Sequence, residues 1–205
     1  MEVSRDTLDI INNFIKTRVS DANSNGVVLG LSGGIDSAVT LSLSVAALGS
    51  DGVTGLIMPY KHTESVDLAK HHAEQLNVNT ETVSIKQIVE SFKSSSSLFA
   101  EKLSEGNLHS RIRMSILYGA GFSSNRLVIG TTNKSELLTG YWTKWGDGGT
   151  DFLPIGDLYK SQVYSLGEEL GVPSGILSRK PTAELWEGQT DEEEFGFTYL
   201  ELDQV

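Results

Sequence analysis

Four short apolar segments alternate with segments of helical periodicity, and this alternation limits the folds open to the 205-residue chain. The four apolar segments read as buried strands at residues 27–31, 53–58, 81–85 and 127–130. The helical patterns cover residues 6–20, 37–48, 65–76 and 88–121, the last interrupted by four serines at 94–97. Strands that alternate with helices predict a parallel sheet with right-handed crossovers. We therefore expect an α/β fold, a doubly wound sheet with helices on both faces.

The composition narrows the classes of function. The chain has 39% apolar residues and no cysteine, which excludes disulfides, thiolate catalysis and cysteine-bound zinc. No apolar run reaches the roughly 18 residues of a membrane span, and the first ten residues, MEVSRDTLDI, lack the apolar core of a secretory signal. We expect a cytoplasmic protein that binds no membrane.

The charge is acidic and unevenly spread. The formal net charge is −11, and residues 184–205 hold eight acids and no Lys or Arg. This balance argues against general affinity for nucleic acid. An anionic ligand must then be bound by cations placed close to it, because the overall field repels it.

The segment LGLSGGIDSA at residues 29–38 joins the first predicted strand to a helix. At such a turn the free backbone N–H groups and the helix dipole favour an anion, and adjacent glycines let the backbone approach phosphate oxygens. A Walker A loop has Lys before its final Ser or Thr, whereas this chain has Asp36. A carboxylate beside phosphates needs a cation between them, so Asp36 is read as a ligand of Mg²⁺ or, alternatively, as an acid that stabilises the first helical turn.

A second strand-to-helix passage, VIGTTNKSE at residues 128–136, carries another acid, Glu136. In the simplest strand order, 3-2-1-4, the first and fourth strands flank the point where ligands bind a doubly wound sheet. Asp36 and Glu136 would then face one crevice and share one phosphate-bound Mg²⁺. The alternative for Glu136 is an acid on a solvated helix face.

These residues carry a resemblance to a known family. SGGIDS at 32–37 resembles the pyrophosphate-binding loop of the N-type ATP pyrophosphatases, whose fold is adenine nucleotide alpha hydrolase-like. The segments GNLHSRIRMSILYGAG (106–121), ELLTGYWTKWGDGGTD (136–151) and KPTAELWEGQTDEEEFGFTYLELD (180–203) resemble NAD synthetases in particular. The resemblance covers essentially the whole chain, so we expect residues 1–205 to form a single NAD synthetase domain.

The resemblance implies a ligase that uses ATP and ammonia to convert deamido-NAD into NAD. The nicotinate carboxylate is adenylated, pyrophosphate leaves, and ammonia attacks the acyl adenylate to release AMP. Asp36 and Lys160 would be catalytic, with Mg²⁺ held by Asp36 and Glu136. Deamido-NAD would contact Arg111, Lys144 and Asp151. The implied ATP contacts are Gly30, Leu31, Ser32, Gly33, Gly34, Ile35, Asp36, Ser37, Thr131, Lys160 and Thr182.

Three of these assigned residues could instead have a purely structural role. Lys160 lies early in a predicted helix from Asp157 to Leu170, where a cation opposes the dipole unless it faces a phosphate. The alternatives are a solvated surface lysine at 160, a turn-capping acid at Asp151 and a structural turn at Thr182. The adjacent His71 and His72 are predicted to be surface residues.

The oligomeric state and the activity also have alternative interpretations. The resemblance implies a homodimer, and the helix at 112–122 is predicted either to form the interface or to pack in the core. The family usually continues several tens of residues beyond Val205, so we expect the family's C-terminal extension to be missing. Free ammonia is the implied nitrogen donor unless a separate amidotransferase docks. The competing hypotheses are an ATP pyrophosphatase that acts on another acceptor and a weakly active nucleotide-binding subunit.

Overall fold

A computed structural model describes residues 5–182 and 189–204 of the chain. The first strands and helices alternate as the sequence predicts, and short helices follow the last strand. The strands are β1 (Val27–Gly30), β2 (Val53–Ile57), β3 (Asn79–Thr82) and β4 (Leu127–Val128). The α-helices are α1 (Arg5–Asp21), α2 (Ile35–Leu48), α3 (Glu64–Gln75), α4 (Lys86–Ser95), α5 (Lys102–Ser124), α6 (Lys134–Thr139), α7 (Lys160–Glu169), α8 (Ser174–Leu177), α9 (Asp191–Phe195) and α10 (Tyr199–Leu202).

The four strands form one sheet in the order β3-β2-β1-β4, which confirms the predicted order. The pairs β1–β2, β1–β4 and β2–β3 are all parallel. Val27 pairs with Val53 on one side and with Leu127 on the other. Because parallel strands end at the same edge, the loops after β1 and β4 lie side by side at the carboxyl end of the sheet.

Hydrophobic cores cover both faces of the sheet. Val27 and Leu29 point into a core shared with α1, α2 and α7, while Val28 between them packs with α5 residues on the opposite face. This alternation along β1 follows from the two-residue period of a strand. Burial on both faces also explains why β1 is apolar throughout.

Two predicted element boundaries were wrong. The third strand is the polar edge strand β3 at Asn79–Thr82, because the apolar Ile85 that suggested residues 81–85 is instead buried at the start of α4. The helix assigned to Asp157 begins only at Lys160, because residues 154–157 form a turn and Tyr159 has the extended backbone of an N-cap. The serine break at 94–97 was confirmed, because α4 ends at Ser95.

His72 is also not a surface residue as predicted. It is 3% exposed, and its Nε2 lies 3.1 Å from Ser42 Oγ, whereas His71 is exposed. None of the described helices has the length and apolar character needed to cross a bilayer.

Candidate functional site

Two helix N-termini meet at the carboxyl end of the sheet. Helix α2 starts five residues after β1 ends at Gly30, and α6 starts six residues after β4 ends at Val128. Since β1 and β4 are neighbours, the second residue of α2, Asp36, and the third residue of α6, Glu136, enter one crevice. The structure therefore brings together the two acids that the sequence placed at this point.

Lys160, the first residue of α7, lies between these two acids. Its Nζ is 2.5 Å from Asp36 Oδ2 and 3.3 Å from Glu136 Oε1. The side chain of Lys160 is 3% exposed, and those of Asp36 and Glu136 are 17% and 15% exposed. The alternatives of a solvated lysine at 160 and a solvated acid at 136 are therefore wrong.

Burial and neighbouring charges shift the pKa values of Lys160 and Glu136. Burial by itself lowers the pKa of Lys160, but the Asp36 and Glu136 carboxylates outweigh it and hold that pKa above its ordinary value. Burial raises the pKa of Glu136, with the Lys160 charge opposing the shift. Two ionised acids that share one ammonium group carry an excess of negative charge, which either protonation of Glu136 or a further cation relieves.

Asn133 orients both carboxylates. Its side-chain Oδ1 accepts a hydrogen bond from the Glu136 backbone N–H, and Glu136 Oε2 accepts one from the Asn133 backbone N–H, a reciprocal capping box. The carboxamide Nδ2 of Asn133 donates to Asp36 Oδ1 at 2.8 Å. Each acid thus uses one oxygen on Asn133 and directs the other at Lys160. The sequence already carries the Asn-x-x-Glu spacing that identifies this cap, so Asn133 was detectable.

The glycine-rich loop between β1 and α2 is built around two serines and one obligatory glycine. Ser32 Oγ and Ser37 Oγ are 3.0 Å apart, and the Gly34 backbone N–H donates to Ser32 Oγ. Gly33 has a φ of 79°, and a Cβ there would lie 2.1 Å from the Ser65 carbonyl oxygen of α3. Glycine is required at 33 because both the left-handed backbone and the contact with α3 exclude a side chain.

Of the remaining predicted ATP contacts, Leu31 and Ile35 lie within this loop and at its end, and Thr131 and Thr182 lie in other segments. Leu31 and Ile35 are buried in the core, Thr131 is partly buried in the passage between β4 and α6, and Thr182 is partly buried beside the undescribed residues. Sequence reasoning missed Arg179, whose Nη1 donates to the Gly33 carbonyl at 3.1 Å. Arg179 and Gly33 are 146 positions apart in the chain, so only the folded structure brings the guanidinium group to the loop.

The predicted deamido-NAD contacts lie on α5 and the loop that follows α6. Arg111 Nε donates to the backbone carbonyl oxygen of Lys144 at 3.1 Å, which places the Arg111 side chain against the Lys144 backbone, and both residues are exposed. Asp151 accepts from the Val128 backbone N–H at 2.7 Å and from the Tyr118 hydroxyl at 3.0 Å. These bonds join Asp151 to β4 and α5, and neither of them caps a turn.

Polar contacts hold the loop at 140–150 against α5. Asp147 Oδ1 accepts from Ser110 Oγ at 2.6 Å, and Thr143 Oγ1 donates to Asn107 Oδ1 at 2.8 Å. Trp145 has a φ of 65° and is 71% exposed, with Lys144 Nζ 5.4 Å from its ring centroid. A non-glycine residue in this conformation is uncommon and occurs most at functional sites. The loop therefore presents an aromatic ring and a cation to solvent from a fixed base.

The glycine-rich loop offers backbone donors to the phosphates of a nucleoside triphosphate, and the crevice beside it holds two carboxylates. Two carboxylate oxygens, Asp36 Oδ2 and Glu136 Oε1, face one cation position beside two helix N-termini. Over residues 5–182 and 189–204, no group of three or more His, Cys, Asp or Glu side chains could hold a metal. A magnesium ion here would need phosphate oxygens and water to complete its coordination, as is usual for Mg²⁺.

Comparisons with known proteins agree with this geometry. The family model described as NAD synthase matches residues 7–205. An NH(3)-dependent NAD(+) synthetase from Archaeoglobus fulgidus is 52% identical over 195 residues, covering 94% of this chain and 78% of the relative. The enzyme of the same name from Thermococcus kodakarensis is 47% identical over 201 residues, covering 98% and 79%.

Solved structures share the fold. The structure of an NMN synthetase from Francisella tularensis superposes with a TM-score of 0.94 at 41% identity, over 99% of this chain and 86% of that one. The crevice between β1 and β4, the matched family model and these relatives lead to one conclusion: the chain belongs to the NAD synthase family.

Proposed function

We propose that the chain amidates deamido-NAD with ammonia at the expense of ATP, forming NAD, AMP and pyrophosphate. The observation that carries the proposal is the buried contact of Lys160 with both Asp36 and Glu136, where the glycine-rich loop meets α6. The NH(3)-dependent NAD(+) synthetases, 47% and 52% identical, support this activity. They do not favour a nucleotide-binding subunit without it.

In the first step an oxygen of the nicotinate carboxylate forms a bond to the α-phosphorus of ATP. The bond from that phosphorus to the oxygen bridging to the β-phosphate breaks, and the electron pair leaves with pyrophosphate. The backbone N–H groups of the loop at 30–37 bind the β- and γ-phosphates, while Lys160 places its positive charge beside them. Because negative charge grows on pyrophosphate as the bond breaks, these donors stabilise the transition state more than the ground state.

Asp36 and Glu136 fit a magnesium ion. Their oxygens Oδ2 and Oε1 already share one cation, the Lys160 ammonium group, and their other oxygens are bound by Asn133. Mg²⁺ would neutralise phosphate charge next to these two carboxylates. Thr131 and Thr182 complete the proposed ATP contacts.

Arg111, Lys144 and Asp151 are the proposed contacts of deamido-NAD. The Arg111 guanidinium group, bound to the Lys144 backbone, and the exposed Lys144 ammonium group offer two cations to the phosphates of the dinucleotide. In the second step the lone pair of ammonia attacks the acyl carbon, AMP leaves with the bonding electrons, and a proton is released to solvent. This step needs alignment of ammonia with the activated carbonyl more than further charge.

The test is a complete reaction followed by separation of its nucleotides. With ATP, Mg²⁺, ammonium and deamido-NAD, we expect NAD and AMP in equal amounts, and none when ATP is omitted. Glutamine in place of ammonium should give no NAD. AMP formed only with another acceptor would instead favour an ATP pyrophosphatase of different specificity.

A second candidate acceptor is the mononucleotide of nicotinate, whose amidation would give NMN. The observation that favours it is the superposition with the NMN synthetase from Francisella tularensis. Both acceptors carry the same carboxylate, so the chemistry at Lys160 is unchanged. The ratio of kcat/KM for deamido-NAD to that for the mononucleotide decides between them, and a ratio above one supports the dinucleotide.

The proposal includes the number of domains, the cellular location and the oligomeric state. Residues 1–205 would act as a single domain in the cytoplasm, where ATP is available, and as a homodimer. On α5, Ile112 and Leu117 are buried in the core, whereas Tyr118 and Phe122 are 40% and 92% exposed. One face of residues 112–122 therefore packs in the core, and the exposed aromatic face of the same helix supports the proposed interface. Sedimentation of Phe122→Glu against the wild-type chain tests whether the exposed aromatic face forms the interface.

A further inference from the structure

Asp203 is a buried carboxylate to which the sequence motifs assign no role. It follows α10 and is 7% exposed. Its Oδ1 accepts a hydrogen bond from Ser135 Oγ at 2.5 Å, and its Oδ2 accepts one from the Ser161 backbone N–H at 2.8 Å. Ser135 belongs to α6 and Ser161 to α7, the helices that carry Glu136 and Lys160. Asp203 therefore joins the two helices whose charged residues meet in the crevice.

The same network reaches the backbone of Lys160. Ser135 is fully buried, and its Oγ, while donating to Asp203, accepts from the Lys160 backbone N–H at 2.9 Å. The first two backbone N–H groups of α7, those of Lys160 and Ser161, thus donate to Ser135 and Asp203 respectively. A carboxylate at a helix N-terminus is stabilised by the unsatisfied N–H groups and the dipole there. These two hydrogen bonds, to Ser135 and to Asp203, therefore set the direction of the first turn of α7.

The other end of Lys160 is touched by the same short helix, α10. The Tyr199 ring centroid lies 5.0 Å from Lys160 Nζ, and Tyr199 is 4% exposed. The Tyr199 hydroxyl donates to Asp191 Oδ2 at 3.0 Å, which holds the ring in place. Residues 199–203 therefore contact the ammonium group through Tyr199 and, by way of Ser135 and Ser161, the start of α7 through Asp203.

We propose that Asp203 is a positioning residue for the adenylation step, which holds Lys160 in register with Asp36 and Glu136 through Ser135 and the first turn of α7. It touches neither ATP nor the acceptor, and it acts through Lys160. The inference rests on the proposed function, since it assigns Asp203 to the step in which Lys160 faces the phosphates. A displacement near 1 Å at a reacting site costs up to about 100-fold in rate, so small movements of α7 are sufficient.

The experiment measures exchange of labelled pyrophosphate into ATP in the presence of deamido-NAD, which reports adenylation without ammonia. We expect Asp203→Asn to lower the exchange rate about 10- to 100-fold, because an amide cannot accept hydrogen bonds with both of its heavy atoms. The KM for ammonia in the complete reaction should stay unchanged. In a Lys160→Met background, Asp203→Asn should lower the residual exchange less than about 2-fold, since residues that act through one another are not additive.

Glu201→Gln is the matched control, because it loosens the exposed cap of the same helix without touching Ser135 or Ser161. Its exchange rate per folded molecule should equal that of the wild type. If Asp203→Asn does not fold, Ser135→Ala replaces it and should show the same selective loss. Full additivity with Lys160→Met, wild-type exchange in the variants, or an equal loss in Glu201→Gln would each overturn the role of Asp203. Lack of exchange in the wild type would instead overturn the proposed function.

Discussion

The carboxamide of Asn133 donates a 2.8 Å hydrogen bond to Asp36, across the boundary between the ends of β4 and β1. The two residues are 97 positions apart in the chain. Asn133 is fully buried and caps α6 with the oxygen of the same carboxamide. One side chain thus fixes a helix start and the direction of an acid on a neighbouring helix.

Substitutions at Asn133 should separate these two roles. Asn133→Ser keeps a capping oxygen but loses the donor to Asp36, so we expect near-normal stability with adenylation slowed about 10-fold. Asn133→Ala loses both, and its unfolding free energy should fall by a further ~1 kcal/mol. Urea unfolding and pyrophosphate exchange measure the two effects. Equal exchange rates in Asn133→Ser and the wild type would contradict the orienting role.

Asp36→Asn should abolish most adenylation while leaving the chain folded. The change removes one charge that faces Lys160, but Glu136 still pairs with the ammonium group. Loss of one electrostatic contact at a reacting phosphate costs about 100- to 1,000-fold in rate. Exchange measured over a series of Mg²⁺ concentrations should also need more metal. Asp157→Asn, on an exposed acid, is the control, and turnover near the original rate in Asp36→Asn would refute the metal assignment.

Lys144→Ala should impair use of the dinucleotide and spare ATP. Losing a charge-assisted contact with phosphate weakens binding by about 1.5–3 kcal/mol, so the KM for deamido-NAD should rise roughly 10- to 100-fold. The KM for ATP should not change, because Lys144 lies on the loop held against α5, beside Arg111. Lys16→Ala, at an exposed lysine of α1, controls for loss of positive charge. A defect confined to ATP would exclude Lys144 from the dinucleotide site.

Gly33→Ala should disrupt the glycine-rich loop. The new Cβ would meet the Ser65 carbonyl oxygen and the residue would keep an unfavourable φ of 79°. Gly49→Ala is a matched control, with a φ of 74° and no atom within 4 Å of the added Cβ. Gly49 has a ψ of 164°, a region almost restricted to glycine, so we expect Gly49→Ala to cost about 1–3 kcal/mol of stability and no activity, while Gly33→Ala loses ATP binding as well. Isothermal titration with ATP would show the difference, and equal affinities would rule out the steric argument.

His109 should make stability depend on pH between about 6.5 and 4. Burial, with Arg113 as a second cause, lowers the pKa of His109 from 6.5 to about 4. Its neutral form is therefore favoured by folding, and this contribution is complete above pH 6.5 and lost as pH falls towards 4. The loss amounts to at most ~3 kcal/mol from the linkage between pKa and stability.

His109→Phe isolates this effect from the titration of carboxylates. The variant keeps a ring against Tyr60, whose centroid lies 4.6 Å from that of His109, but it cannot take up a proton. Urea unfolding at pH 7 and pH 4.5 should show a smaller decrease in the variant than in the wild type. Equal decreases would mean that His109 does not carry the pH dependence.

Sequence patterns sufficed for the order of elements and for the location of the crevice. The alternation of apolar and helical segments predicted a doubly wound sheet in the order 3-2-1-4, and that order places Asp36 beside Glu136. These features depend on local preferences and on rules of chain connection that hold for any parallel sheet. The capping box at Thr198 and Glu201 is local in the same sense, because its two residues are only three positions apart.

Contacts between distant segments were decided only by the tertiary structure. Lys160 meets Asp36 across 124 residues, and Asp203 meets Ser135 across 68, with no local signal for either pair. His71 and His72 are adjacent in sequence, yet only His72 is buried. The sequence alone thus determined the order and type of the strands and helices around the crevice, since near neighbours control these, but it did not determine the bounds of β3 and α7. Packing decided which buried polar groups meet, because desolvated charges and donors must find partners wherever the assembled elements bring them.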